Sequence, residues 1–275
     1  MHNRFLLITL VSVLLAGCAT VTNPVTGQQE RTVMDERSEI AEGRKAHEEV
    51  LQEYGVYANP RLQAYVNELG QRLAKQSHRK NLEWHFTVLD SPEINAFALP
   101  GGYVYVTRVL MAYMAGVIGH EIGHVTARHG AQRATRQQTA GLGVIAATIL
   151  GAVLEVKGVS GATDIASTMS QGVAAGYIAS YSRDQESQAD KLGAEYLARI
   201  NYDPKNMVDV IRVLKSQEQF AADTARAEGR KPPASAGWLA SHPSNDKRLQ
   251  DIVQVSAQYK GKYADEGRAR YLQAI

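Results

Sequence analysis

Apolar residues recur at two different periods along this chain, and the switches between them lay out its elements. Over Glu36–Tyr54 and Arg61–Lys75 they return every three to four residues, which predicts two amphipathic helices. The second opens just after Pro60, whose fixed φ suits a first helical turn. From Leu82 the period drops to two: Trp84, Phe86 and Val88 alternate with Glu83, His85 and Thr87, as on a half-buried strand. Asn95–Leu99 and Tyr103–Thr107 read as further strands, joined through Pro100-Gly101-Gly102. Between Val106 and Val117 only Gly116 could break a helix, so Arg108–Arg136 is expected to be mostly helical, interrupted at most near Ala115-Gly116. Thr139–Val156 is apolar, rich in Gly and Ala and uncharged until Glu155, which suits a packed helix or a membrane span. Helices are predicted over Ile165–Ser180, Pro204–Phe220 and Ser244–Tyr259, with a Gly- and Pro-bearing loop over Ala221–Ser241. The sum is an α+β fold, mostly helical, with a small antiparallel sheet.

The N-terminus carries an address. Arg4 precedes the apolar run Phe5–Ala16, too short to span a membrane comfortably, and Leu15-Ala16-Gly17 then sets small residues before Cys18. This pattern resembles a bacterial lipobox, with residues 1–17 as signal peptide and Cys18, the only cysteine, as the lipid attachment point. Ala19 rather than Asp after that cysteine favours an outer-membrane anchor with the protein facing the periplasm. Residues 18–31, with turn chemistry at Asn23-Pro24 and Thr26-Gly27 and no apolar period, are expected to be a flexible tether. One domain over 32–260 and a tail over 261–275 complete the division. The 30 basic and 28 acidic residues are interspersed and leave a net charge of +2, which excludes a nucleic-acid partner.

Chemistry concentrates at His120-Glu121-Ile122-Gly123-His124. One helical turn apart, the two imidazoles can reach a single metal ion with Glu121 beside it, the arrangement of a zinc hydrolase. Val117, Ile118, Ile122 and Val125 make that helix apolar enough to be buried. The metzincin pattern, with a third His six residues after the second, fails because Gly130 stands at that position and Ala127 where its glycine would be. His129, one residue short of it, is expected to be a partly exposed helix residue. A His₂Glu set takes its carboxylate from a second helix, and Glu186 with Asp190 at i, i+4 offers one. Glu186 would ligate while Asp190 accepts the free ring N–H of a ligand histidine.

The strands Asn95–Leu99 and Tyr103–Thr107, the run His120–His129, the segment from Ser182-Arg183-Asp184-Gln185-Glu186 to Asp190, and Ser241-His242-Pro243 with Arg248 occur here in one order. In this the chain resembles the HtpX-like and CaaX-prenyl-protease-type zinc metallopeptidases, and most of all their soluble bacterial lipoprotein branch. The resemblance implies a zincin-like domain with the sheet beside the metal-binding helix, and a gluzincin endopeptidase with one Zn2+ per chain. His120, His124 and Glu186 would be its ligands and Glu121 its general base. It further implies that Asn95 and Ala96 contact substrate along an edge strand. His242 would lie near the metal and steady the oxyanion, and Arg248 would order that loop or bind substrate. Extended, unfolded or misassembled envelope polypeptides fit as substrates. Two other readings stand beside it: a non-proteolytic, metal-stabilised lipoprotein that binds outer-membrane assembly intermediates, and a membrane-embedded protease using Thr139–Val156 as a span.

Overall fold

The computed structural model describes residues 19–109, 114–156, 181–231, 242, 246–263 and 267–275. Cys18, residues 1–17 and the helix expected over Ile165–Ser180 lie outside them, Ser180 included. The chain divides into two units, Met1–Glu39 with Ala131–Ala179, and Ile40–Gly130 with Ser180–Ile275.

In the first unit a tether is not what the residues form. β1 (Ala19–Thr22) pairs antiparallel with β2 (Gln29–Thr32). Buried Asn23 closes the turn, its Oδ1 accepting from the N–H groups of Val25 and Thr26 at 2.9 and 3.1 Å. Beyond the turn, Glu30 accepts from the Gln132 amide at 3.1 Å, and the Val33 N–H donates to the Thr135 hydroxyl at 3.1 Å. Side-chain hydrogen bonds rather than an apolar stripe hold this hairpin, and a periodicity search does not register them.

The second unit builds a three-stranded sheet on helices α1 (Glu36–Tyr54) and α2 (Pro60–Ala74). α2 starts at Asn59, whose side chain accepts from the Leu62 N–H, with Pro60 in the first turn. It buries Leu62, Val66, Leu69 and Leu73 and packs against β3 (His85–Leu89). The strand order is β3, β5 (Tyr103–Thr107), β4 (Ala96–Leu99). The sheet is mixed rather than antiparallel. β4 and β5 form a hairpin, so β5 inserts beside β3 running in β3's own direction. That hairpin needs Gly102: its φ is +99°, and a Cβ there would fall 2.4 Å from the Glu83 carbonyl oxygen. β5 is buried along its whole length.

The edge of β3 is closed by side chains. Gln63 accepts from the Val88 N–H and donates to the Val88 carbonyl, and Gln71 donates to the Trp84 carbonyl. β4 is thus the sheet's outer strand, and it packs against α3 (Met114–Thr126).

α3 is buried throughout and lies against α5 (Arg183–Arg199), backbone close to backbone. A Cβ on Gly123 would meet the Ala189 carbonyl oxygen at 2.9 Å, and one on Gly119 the Gly193 Cα at 3.3 Å. Gly116 is likewise inside the helix, not a break in it, because Asn206 and Val210 of α6 (Asn206–Ala227) crowd its Cβ position. Among the described residues, Arg108 and Val109 form a turn rather than helix, 110–113 lie outside them, and the interruption within the helical part falls at Ala127-Arg128, where Arg128 adopts φ 60° before α4 (His129–Val156) begins. Gly123→Ala is therefore expected to destabilise the fold by about 1 to 3 kcal/mol in urea unfolding, the usual cost of overpacking. Gly141→Ala, whose Cβ would meet nothing within 4 Å, is the control and should be neutral or stabilising.

α6 continues to Ala227, seven residues into the expected loop at 221–227, and ends before Gly229 at φ +69°; residues 232–241 lie outside the described chain. α7 (Asp246–Ser256) packs on α5 and α6. The expected tail contains α8 (Gly267–Ala274), which docks on α2 through Arg270 with Glu68 at 3.4 Å and Tyr271 against Tyr65. Among the described residues no helix is long and apolar enough to cross a membrane; the side chains of residues 143–156, on which the span reading of Thr139–Val156 rests, lie outside them.

Candidate metal centre

α3 presents His120, Glu121 and His124 from its last two turns, and the start of α5 decides what meets them. Ser182 and Gln185 form a reciprocal capping box that fixes the first residue of α5. Glu186 and Asp190 then fall on the face turned to α3, which the small residues Ala189 and Gly193 bring close. Ligand atoms of His120, His124, Glu186 and His242 all lie within 4.8 Å of one another, and all four residues are buried. His120, His124 and Glu186 converge as the sequence suggests. His242, expected only nearby, stands within the same donor group, its Nε2 3.7 Å from Glu121 Oε1.

The donor set fits a divalent cation on its own chemistry. His120 Nδ1 lies 2.9 Å from the Asp190 carboxylate, which accepts only, so the ring proton sits on Nδ1 and Nε2 keeps its lone pair. That Nε2 is 2.9 Å from His124 Nε2, and Glu186 faces both at 3.6 and 3.3 Å. With the His124 proton on Nδ1, both Nε2 atoms are bare, and two lone pairs and a carboxylate turned on one another repel unless a cation lies between them. Neither Glu186 oxygen takes a well-directed hydrogen bond among the described residues, although Arg248 Nη1 is 2.6 Å from Oε2. Three carboxylates (Glu121, Glu186, Asp190) against one guanidinium (Arg248) leave a formal −2 in a buried site, the charge a divalent ion neutralises.

Asp190 takes the orienting role anticipated for it. Arg248 does not reach a substrate surface: it is 3% exposed and grips Asp190 with Nε at 2.5 Å and Nη2 at 2.8 Å. Burial opposes its charge, but Asp190 and Glu186 outweigh that and hold it more firmly protonated than usual. The sequence reading places Arg248 at the loop or substrate because it cannot show that α7 turns this residue inward. His129 is also corrected. It is fully buried, with Nδ1 2.9 Å from His124 Nδ1 and Nε2 2.9 Å from Gln188 Oε1. On a continuous helix residues 124 and 129 would point about 140° apart. The break at Arg128 swings the ring back, and no sequence pattern announces a positive φ at an arginine. Tyr181, stacked on His124 with ring centres 4.0 Å apart, completes the wall.

On β4, Asn95 bonds back into the sheet, its N–H to Thr107 Oγ1 and its carbonyl from the Thr107 N–H. By antiparallel alternation Phe97 and Leu99 also face β5, so Ala96 and Ala98 direct their N–H and C=O groups outward. The backbone groups of β4 turned away from β5 are thus those of Ala96 and Ala98, not Asn95, and Ala96 is itself fully buried.

Burial lowers the pKa of His120, His124 and His242 well below 6.5, and pushes the Glu186 carboxyl up to about 7 against the pull of His242 and Arg248. The depressed imidazoles make the metal-free fold lose stability as the pH falls below about 6.5, where the unfolded chain takes up their protons. Glu186 acts oppositely: its contribution is complete below 4.5, its ordinary value, and is lost as the pH rises through about 7. Three imidazoles outweigh one carboxyl. The urea midpoint of the metal-free chain should be lower at about pH 5 than at about pH 7.5.

Comparison with known proteins agrees with this geometry. Residues 60–256 match the model of peptidase family M48. The chain is 31% identical over 212 residues to the beta-barrel assembly-enhancing protease of Yersinia pestis, a match covering 74% of this chain and 40% of that protein. The protein of the same name from Escherichia coli (strain K12) is 30% identical over 224 residues, covering 78% and 43%. The mitochondrial metalloendopeptidase OMA1 of Schizosaccharomyces pombe is 28% identical over 234 residues, covering 80% and 62%. The chain spans about two fifths of the length of these bacterial relatives.

Proposed function

The chain belongs to peptidase family M48, and we propose that it is a zinc-dependent endopeptidase acting on unfolded or misassembled polypeptides of the bacterial cell envelope. The observation that carries this reading is the convergence of His120, His124 and Glu186 in a buried group with Glu121 adjacent to it in the same helix. A module that only binds has no use for Glu121.

Zinc held there would polarise the scissile carbonyl and ease deprotonation of the attacking water. Glu121 takes the proton from that water and returns it to the leaving amine. His242, facing Glu121 across the site, donates its Nε2–H to the developing oxyanion. Substrate lies as an added strand along β4, bonded at the outward groups of the part-exposed Ala98, while Gln63 and Gln71 keep the β3 edge closed. Such backbone bonding binds any extended sequence, which favours unfolded chains over folded ones.

The names of the bacterial relatives support an envelope setting. Cys18 in the Leu15-Ala16-Gly17-Cys18 pattern supports a lipid anchor, with the outer membrane as its site and the protein facing the periplasm. The test is hydrolysis of reduced, unfolded envelope proteins by the purified full chain. Cleavage should stop with a chelator and return with zinc; cleavage that persists after complete metal removal overturns the reading. Labelling with a palmitate analogue should be lost in Cys18→Ala, and labelling that survives the substitution removes the anchor.

A further inference from the structure

His129 is fully buried, bonded on both ring nitrogens, and given no part in the chemistry above. We propose that His129 and Gln188 are positioning residues for His124, forming a neutral hydrogen-bond relay that fixes the tautomer and ring plane of that metal ligand. The inference rests on the zinc reading of the site.

The direction of the relay follows from donors and acceptors. With Gln188 Oε1 accepting at 2.9 Å, the proton of His129 sits on Nε2, and Nδ1 carries the lone pair. That lone pair accepts from His124 Nδ1–H at 2.9 Å. His124 is left with a bare Nε2, the atom turned toward His120 Nε2 and Glu186. Reversing the relay would place a proton on His124 Nε2 and close that coordination position. The two ligand histidines are thus held by unlike devices. His120 leans on the charged pair of Asp190 and Arg248, whereas His124 leans on an uncharged imidazole and an amide. The uncharged device suits the count of charges, since a second carboxylate behind His124 would take the site beyond the formal −2 that one divalent ion neutralises. The same inference accounts for Arg128, whose left-handed φ of 60° turns the chain so that His129 reaches His124. Tyr181 covers the relay, its ring 4.0 Å from that of His124 and 6.1 Å from that of His129.

Zinc affinity of the full chain, measured by chelator competition, tests the proposal without reference to activity. His129→Leu fills similar space without an acceptor and should weaken zinc binding about 10- to 100-fold, the usual effect of losing such a partner. His129→Asn, whose Oδ1 stands the same number of bonds from the backbone as Nδ1, should recover most of that loss. In the zinc-loaded wild type, ¹⁵N chemical shifts should show His129 as the Nε2–H tautomer. Urea midpoints of both variants are measured alongside. Zinc bound by His129→Leu as tightly as by the wild type overturns the proposal. So does equal weakening in Leu and Asn, which would make His129 a packing residue, and so does a His129 protonated on Nδ1. A wild type that binds no zinc removes the zinc reading itself, and the relay with it.

Discussion

Glu121→Gln is expected to leave zinc bound while cutting peptide hydrolysis by at least about 10²-fold, the lower end of what a general base contributes. Glu121 is fully buried on α3, one residue from His120, and is not among the four residues whose donor atoms cluster. Glutamine keeps its size and its packing but cannot accept a proton from water. Removing one formal negative charge beside the cluster weakens metal binding slightly, so zinc content should stay stoichiometric when zinc is in excess. The measurements are kcat/KM on an unfolded envelope protein and metal content of the same sample. Wild-type activity in the variant would end the assignment of Glu121 as base. Lost zinc would instead give Glu121 a ligand's part.

Much of this site was legible before any coordinates, because it is written in local rules. The i, i+4 spacing of His120 and His124, and of Glu186 and Asp190, places pairs of donors on one helical face, and Ser182 with Gln185 marks where the second helix starts. The glycines Gly116, Gly119 and Gly123 were equally visible, but their purpose was not. Gly116 reads as a break in isolation, and only the approach of Val210 and Asn206 shows that it is a space. What stayed hidden depends on a single backbone angle or on where a distant helix points. Arg128 at φ 60° converts a His129 expected to be partly exposed into the partner of His124, and the seating of α7 makes Arg248, expected to order the loop or bind substrate, the anchor of Asp190. The hairpin at Ala19–Thr32 shows the same limit in another form, since its strands are short, polar and closed by the Asn23 side chain. Register belongs to this class too. The alternation of β4 against β5 assigns Ala96 and Ala98, not Asn95, to the outward edge, and a shift of one residue exchanges the two sets.

Glu186→Ala should cost the protein its metal, and the charges around it explain why the three remaining histidines do not suffice. His120, His124 and His242 would still present nitrogen donors within the same small volume, a set that in other surroundings could hold zinc. Here Arg248 lies 2.6 Å from the Glu186 carboxylate and is gripped by Asp190 on its other side. Deleting Glu186 leaves a buried guanidinium facing the cation site with one fewer carboxylate to offset it, so a divalent ion would enter against a nearer positive charge. The substitution therefore removes a ligand and raises the cost of the ion at the same time. Metal content after dialysis should fall far below one per chain, and peptide hydrolysis should fall with it. The double variant Glu186→Ala, Arg248→Leu separates the two effects. If repulsion from Arg248 contributes as argued, zinc affinity should partly return in the double variant, carried by the three histidines. Stoichiometric zinc in the single variant would show that Glu186 is not a ligand.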